Sequence, residues 1–114
     1  ILDSLENFHS YYGDDFKVEF PTDSGELMTL KDTADGVAKR LLVLFIPGTS
    51  KKIPMYGEYE KFQKDTLFNK NHLFFEYFDG DTGKGLGANH QTGWTGLIAE
   101  IIRHLNKEEV EKKE

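Results

Sequence analysis

Cysteine is absent from the 114 residues, which removes disulfides and thiolate metal sites from the available frameworks. The longest apolar run, LLVLFI from Leu41 to Ile46, falls far short of the roughly 20 residues a membrane helix needs. No Asn-x-Ser/Thr acceptor occurs, so nothing marks passage through a glycosylating compartment. Positive charge is also short: 14 Lys and Arg stand against 20 Asp and Glu, a formal net charge of −6. A nucleic-acid backbone or an anionic membrane would need a basic footprint, and both are excluded as expected partners. The four histidines, at 9, 72, 90 and 104, have no paired spacing, so no zinc site is indicated. No leader precedes the first apolar-periodic segment, and the expected compartment is the cytoplasm. Ile1 in place of Met leads us to expect a chain cut from something longer.

What is present is aromatic and globular. Nine Phe, five Tyr and one Trp, within 38% hydrophobic and 30% charged residues, describe a chain able to bury a core in one domain. Leu2, Leu5, Phe8, His9 and Tyr12 recur at helical spacing and Gly13 follows, which predicts a helix over 1–12. FKVEFPTDSGELMTL alternates around a turn cluster and predicts a β-hairpin over 16–30. Thr29 and Asp32 form a capping-box pattern ahead of Leu30, Ala34, Val37, Ala38, Leu41, Leu42 and Phe45, giving a helix over 30–46 that stops at Pro47. Residues 47–71 read as loop with one helical turn near 57–64. HLFFEYF reads as extended, and GDTGKGLGAN as a long glycine-rich loop. Thr92 is the expected N-cap of a last helix over 93–105, striped by Leu97, Ile98, Ile101, Ile102 and Leu105. Residues 106–114 form a charged tail, expected to fray.

The glycine run does not spell a phosphate loop, since GDTGKGLG lacks the GxxxxGK[ST] order. DGDTGKGLGANH opens like a calcium loop with Asp79 and Asp81. It then has Lys84 where the turn glycine belongs and His90 where a glutamate should close the site. Glu76 is the one acid inside HLFFEYF, where burial would raise its pKa and suit it to activating water. The plain alternative is a strand glutamate on the exposed side of an alternating pattern. His90 and Trp94, ahead of the last helix, are placed to hydrogen-bond to and stack on a ligand, or simply to cover the core.

GDDFKVEFPTDSGELMTLKDTADGVAKRLL, YEKFQKD and above all FFEYFDGDTGKGLGANHQTGWTGLIAEII resemble the C-terminal end of the catalytic domain in glycoside hydrolase family 63, over about Leu5 to Leu105. The resemblance implies a mainly α fold with a short β-hairpin, part of an (α/α)6 toroid of the six-hairpin glycosidase type. Residues 1–105 would supply its closing helices and active-site loops only. It implies hydrolysis of α-glucosidic bonds with inversion, one acid protonating the leaving oxygen while a second carboxylate activates water. The EYFD element puts the base at Glu76, Gly83 to Ala88 would form a lid, and His90, Gln91 and Trp94 would line the pocket. The family's general acid lies upstream and has no match in this chain, which is therefore expected to be inactive alone. The implied partners are an oligosaccharide or glucoside substrate, and the remainder of the catalytic domain or a second copy covering the apolar helix faces. No cofactor and no metal is implied. The alternative function is a non-catalytic carbohydrate-binding or protein-interaction module.

Overall fold

The computed structural model describes residues 1–90 and 93–111, with side chains up to Asn106. Over the described residues the chain is mainly helical with two small antiparallel hairpins, and it divides into two compact units, Ile1–Arg40 and Leu41–Glu114.

In the first unit, α1 (Leu2–Tyr12) ends where Gly13 turns to a φ of 71° and donates its N–H to the His9 carbonyl. β1 (Lys17–Glu19) and β2 (Leu27–Thr29) then pair antiparallel, with Val18 opposite Met28. The intervening turn is closed by Gly25, whose N–H donates to the Glu19 carboxylate and whose φ of 74° favours glycine. Thr29 opens α2 (Leu30–Val43): its Oγ1 accepts from the Asp32 N–H at 3.1 Å and donates to the Asp32 carboxylate at 2.8 Å. The cap expected at Thr29 is present and satisfies one of the orphan donors of the first turn, but Asp32 accepts from the Thr29 hydroxyl and not from its backbone N–H, so the reciprocal bond of a capping box is replaced. Gly36 lets the Phe20 ring approach the helix, since a Cβ there would stand 2.6 Å from Phe20 Cε1. The Arg40 guanidinium lies over the other part of that contact, 5.0 Å from the ring centroid.

The second helix stops at Val43, short of the expected Ile46. Leu44 and Phe45 donate to Leu41 and Leu42 in tight i→i−3 turns, and the Leu44 carbonyl accepts from Met55. That long-range bond and the burial of Phe45 in the core compete successfully with continued helix. The core of the second unit gathers Phe45, Ile53, Met55, Tyr56, Leu73, Phe75 and Ile98.

Residues expected to be mostly loop hold more structure than their pattern shows. A 3₁₀ turn (Pro54–Tyr56), α3 (Glu60–Lys64) and α4 (Thr66–Lys70) follow one another, and the Asp65 carboxylate caps α4 through the Leu67 N–H. Two polar side chains tie these short pieces down. Gln63 accepts from the Ile53 N–H and donates to the carbonyls of Ile53 and Gly57, all within 2.9–3.1 Å. The fully buried Tyr56 donates its hydroxyl to the Phe68 carbonyl at 2.8 Å and accepts from the Leu73 N–H at 3.4 Å. Burial pushes that hydroxyl up from the usual tyrosine range.

The glycine-rich run expected as loop instead supplies a strand: β3 (Tyr77–Phe78) pairs antiparallel with β4 (Gly85–Leu86). A 3₁₀ turn (Thr95–Leu97) leads into α5 (Ile98–Glu111), which buries Ile98 and runs past Leu105 into the charged segment. Lys and Glu are good helix formers, so the charge pattern does not end the helix. The expected N-cap, Thr92, lies outside the described residues.

Candidate functional site

Glu76 stands immediately before β3, and the ladder around it carries an irregularity. The register sets Tyr77 against Leu86 and Phe78 against Gly85, and a continued ladder would bring Gly87 opposite Glu76. Instead the Glu76 N–H donates to the Ala88 carbonyl at 2.9 Å. Regular pairing ends there, and Gly87, at φ 73°, and Ala88 together face Glu76 in a one-residue slip that acts as a terminal bulge. A bulge bends its strand and re-aims the side chain beside it.

Its effect here is on the carboxylate. The extra residue brings the Ala88 N–H to Glu76 Oε2 at 3.3 Å. The space is tight: a Cβ on Gly87 would lie 2.6 Å from that oxygen, 2.8 Å from Tyr77 Cε1 and 2.9 Å from Glu76 Cβ. On the other side, the Trp94 indole N–H donates to the Glu76 carbonyl at 2.8 Å. The residue is therefore held at its N–H, at its C=O and at one carboxylate oxygen. Among the described residues, Oε1 meets no protein donor.

Glu76 is nevertheless exposed, which corrects the expectation that burial would shield it. The cause lies in the local pattern. Leu73 and Phe75 turn into the core, leaving Glu76 and Tyr77 facing outward. What the structure provides in place of burial is fixation.

Comparison with known proteins yields one informative likeness. Over 104 residues the chain is 46% identical to Uncharacterized protein YMR196W of Saccharomyces cerevisiae, a match that covers 90% of this chain and 10% of the yeast protein. The chain thus spans about a tenth of the length of that relative. No family model and no solved structure matches the chain.

The other expected site residues divide. Trp94 is joined to Glu76 by its indole N–H, and its ring meets Phe78 edge-on at 6.1 Å while remaining 57% exposed. His90 is exposed and reaches the neighbourhood through its backbone, in a parallel bridge to Phe74. Among the described residues no hydrogen bond joins its imidazole to Glu76. Gln91 lies outside the described residues. Tyr77, which the sequence reading did not single out, flanks the carboxylate with a ring 52% exposed.

Asp79 has a different job from the calcium ligand its spacing suggested. Its Oδ1 accepts from the Thr82 hydroxyl at 2.7 Å, the Thr82 N–H at 2.8 Å and the Asp81 N–H at 3.2 Å. Its own N–H donates to the Lys84 carbonyl, and its carbonyl accepts from Gly83. These bonds close the tip of the β3–β4 hairpin, and they hold the Asp79 carboxyl below the usual aspartate range, Thr82 being the main cause. Among the described residues no group of three or more His, Cys, Asp or Glu is placed to hold a metal ion. No described helix is long and apolar enough to cross a membrane.

Proposed function

We propose that the chain is the C-terminal portion of an inverting α-glucosidase-like glycoside hydrolase, with Glu76 as general base and the glycine-rich β3–β4 hairpin as the arm beside it. The observation that carries this reading is the state of the Glu76 carboxylate. Oε2 is held by the Ala88 N–H while Oε1 meets no donor among the described residues, an arrangement that suits a base orienting one water and taking its proton. A general acid on the opposite face of the sugar, contributed by the remainder of the catalytic domain, would complete the pair at about 6.5–9.5 Å. Such a toroid would also cover Leu97 and Ile102, which this chain leaves exposed on its last helical segments. The substrate class is an oligosaccharide or glucoside, and the chain alone is inactive.

The test is turnover of α-linked glucosides by the complete catalytic domain carrying Glu76→Gln. Loss of about 10²–10⁴-fold, with inverted product anomer in the unaltered enzyme, is the expected result. Retention of turnover within a few-fold would remove Glu76 from the chemistry.

A second reading, a carbohydrate-binding module without turnover, draws on two exposed aromatic residues, Trp94 on the Glu76 backbone carbonyl and Tyr77 beside its carboxylate. Aromatic faces stack on sugars whether or not a reaction follows. Sugar binding without hydrolysis in the complete domain, unaltered by Glu76→Gln, would favour it over the first.

A further inference from the structure

The glycine-rich hairpin is packed down on the second unit by a side chain from its own tip. Lys84 extends across Gly57, where a Cβ would stand 2.9 Å from Lys84 Cγ and 3.0 Å from its Cδ. Its ammonium then sits 4.6 Å from the centroid of the Tyr59 ring. Tyr59 is itself tied to the core, its N–H donating to the carbonyl of the fully buried Tyr56. The backbone of Lys84 is fixed as well, by the Asp79 N–H on its carbonyl and the Thr82 hydroxyl on its N–H. The next residue, Gly85, is buried so closely against Phe75 that a Cβ would come 2.3 Å from the ring. From there β4 runs straight into the Gly87–Ala88 bulge that holds Glu76.

We infer that Lys84 is a positioning residue, clamping the hairpin through Gly57 and the Tyr59 ring so that the bulge, and with it the Glu76 carboxylate, stays in one place. The inference rests on Glu76 being the functional carboxylate. It also makes the glycine-rich segment a fixed arm and not a lid that opens: Gly57 and Gly85 admit the neighbours that hold it, where hinge glycines would stand clear of contacts.

Amide hydrogen exchange of the chain tests this without any sugar. The readout is the Glu76 amide, which reports the bulge through its bond to Ala88. Lys84→Met keeps the stem and removes the charge, and Tyr59→Leu removes the ring from the far side. Each is expected to speed Glu76 exchange about two- to fivefold, the range an exposed cation–π contact supports. The double variant should be no faster than either single one, because both remove the same contact. Lys84→Arg, which retains a cation over the ring, should restore the original rate. Unchanged Glu76 exchange in the single variants, or additive acceleration in the double one, would overturn the clamp. Tyr59→Leu decides the matter if Lys84→Met does not fold. Because the measurement is structural, failure of the hydrolase reading would appear in the turnover experiment and leave this pattern intact.

Discussion

Replacing Gly87 with alanine tests whether the bulge exists to place Glu76. Two separable terms can be worked out from the geometry. The first is conformational: at φ 73° an L-residue with a Cβ is destabilised by about 1–2 kcal/mol relative to glycine. The second is steric, because the new Cβ would meet Glu76 Oε2 at 2.6 Å, Tyr77 Cε1 at 2.8 Å and Glu76 Cβ at 2.9 Å. The oxygen can swing away, but Glu76 Cβ moves only with its backbone, which is bonded on both sides. Displacing the two side chains from their rotamers adds about 0.5–1.5 kcal/mol each. The sum, about 2–5 kcal/mol, should lower the unfolding midpoint by at least about 8 °C on the scale of about 4–8 °C per kcal/mol. Two comparison variants separate the terms. Gly25→Ala has nearly the same φ, 74°, with nothing near its Cβ, and Gly80→Ala has open space and no positive φ. Urea unfolding should rank them Gly87→Ala, Gly25→Ala, Gly80→Ala from most to least destabilised. If Gly87→Ala fell within about 0.5 kcal/mol of Gly80→Ala, the bulge would not be under the constraint argued for it. Under the proposed hydrolase reading, the same variant in the longer protein should lose turnover beyond what its lost stability explains, because the carboxylate has been moved.

Two further outcomes follow from the contacts. Gln63→Leu leaves the N–H of buried Ile53 without its partner, while the Ile53 carbonyl keeps the Tyr56 N–H and the Gly57 carbonyl is only half-buried; at about 1–3 kcal/mol for an unsatisfied buried group, it should destabilise the chain by about that much in urea unfolding, and a loss under about 0.5 kcal/mol would show that the strap is dispensable. Asp79, whose carboxyl is lowered by Thr82, gives the hairpin tip a contribution that is complete above the ordinary aspartate value of about 3.9 and is lost as pH falls through the lowered folded value. Exchange at the Gly83 and Thr82 amides should therefore accelerate at acid pH beyond its intrinsic pH dependence, and should not do so in Asp79→Asn.

The elements that could be read from the sequence are those whose causes are local. α1 with its Gly13 stop, the 17–29 hairpin and the Thr29–Asp32 cap each depend on residues within a few positions of one another, and spacing alone exposes them. What escaped the reading depends on distant partners. Nothing near Gln63 in the sequence announces that its amide will complete the backbone of Ile53 and Gly57. Nor does the run GKGLG announce a strand, since glycine disfavours strands unless close approach demands it, and the demand comes from the Phe75 ring and the Glu76 side chain. The exposure of Glu76 follows the plain alternative, a strand glutamate on the outward side; what its neighbours in sequence do not announce is the contact with Ala88, twelve positions on, that holds its carboxylate.

That outward position sharpens the case for a role beyond folding. Fixing a glutamate side chain costs about 1.5–2 kcal/mol of rotamer entropy, and a single N–H bond on an exposed carboxylate returns about as much at most. At 3.3 Å the Ala88 contact is a long example. The arrangement also ends regular pairing at Tyr77 and places a glycine at positive φ beside it, both unfavourable in a short hairpin. A hairpin with regular pairing at Glu76 would be at least as stable and would leave the carboxylate free to move in solvent. Local rules broken at one place, with the bonds of the surroundings arranged to maintain the break, are characteristic of positions kept for function. The stability of the chain therefore gives no reason for Glu76 to be held, whereas the proposed role as a general base supplies one.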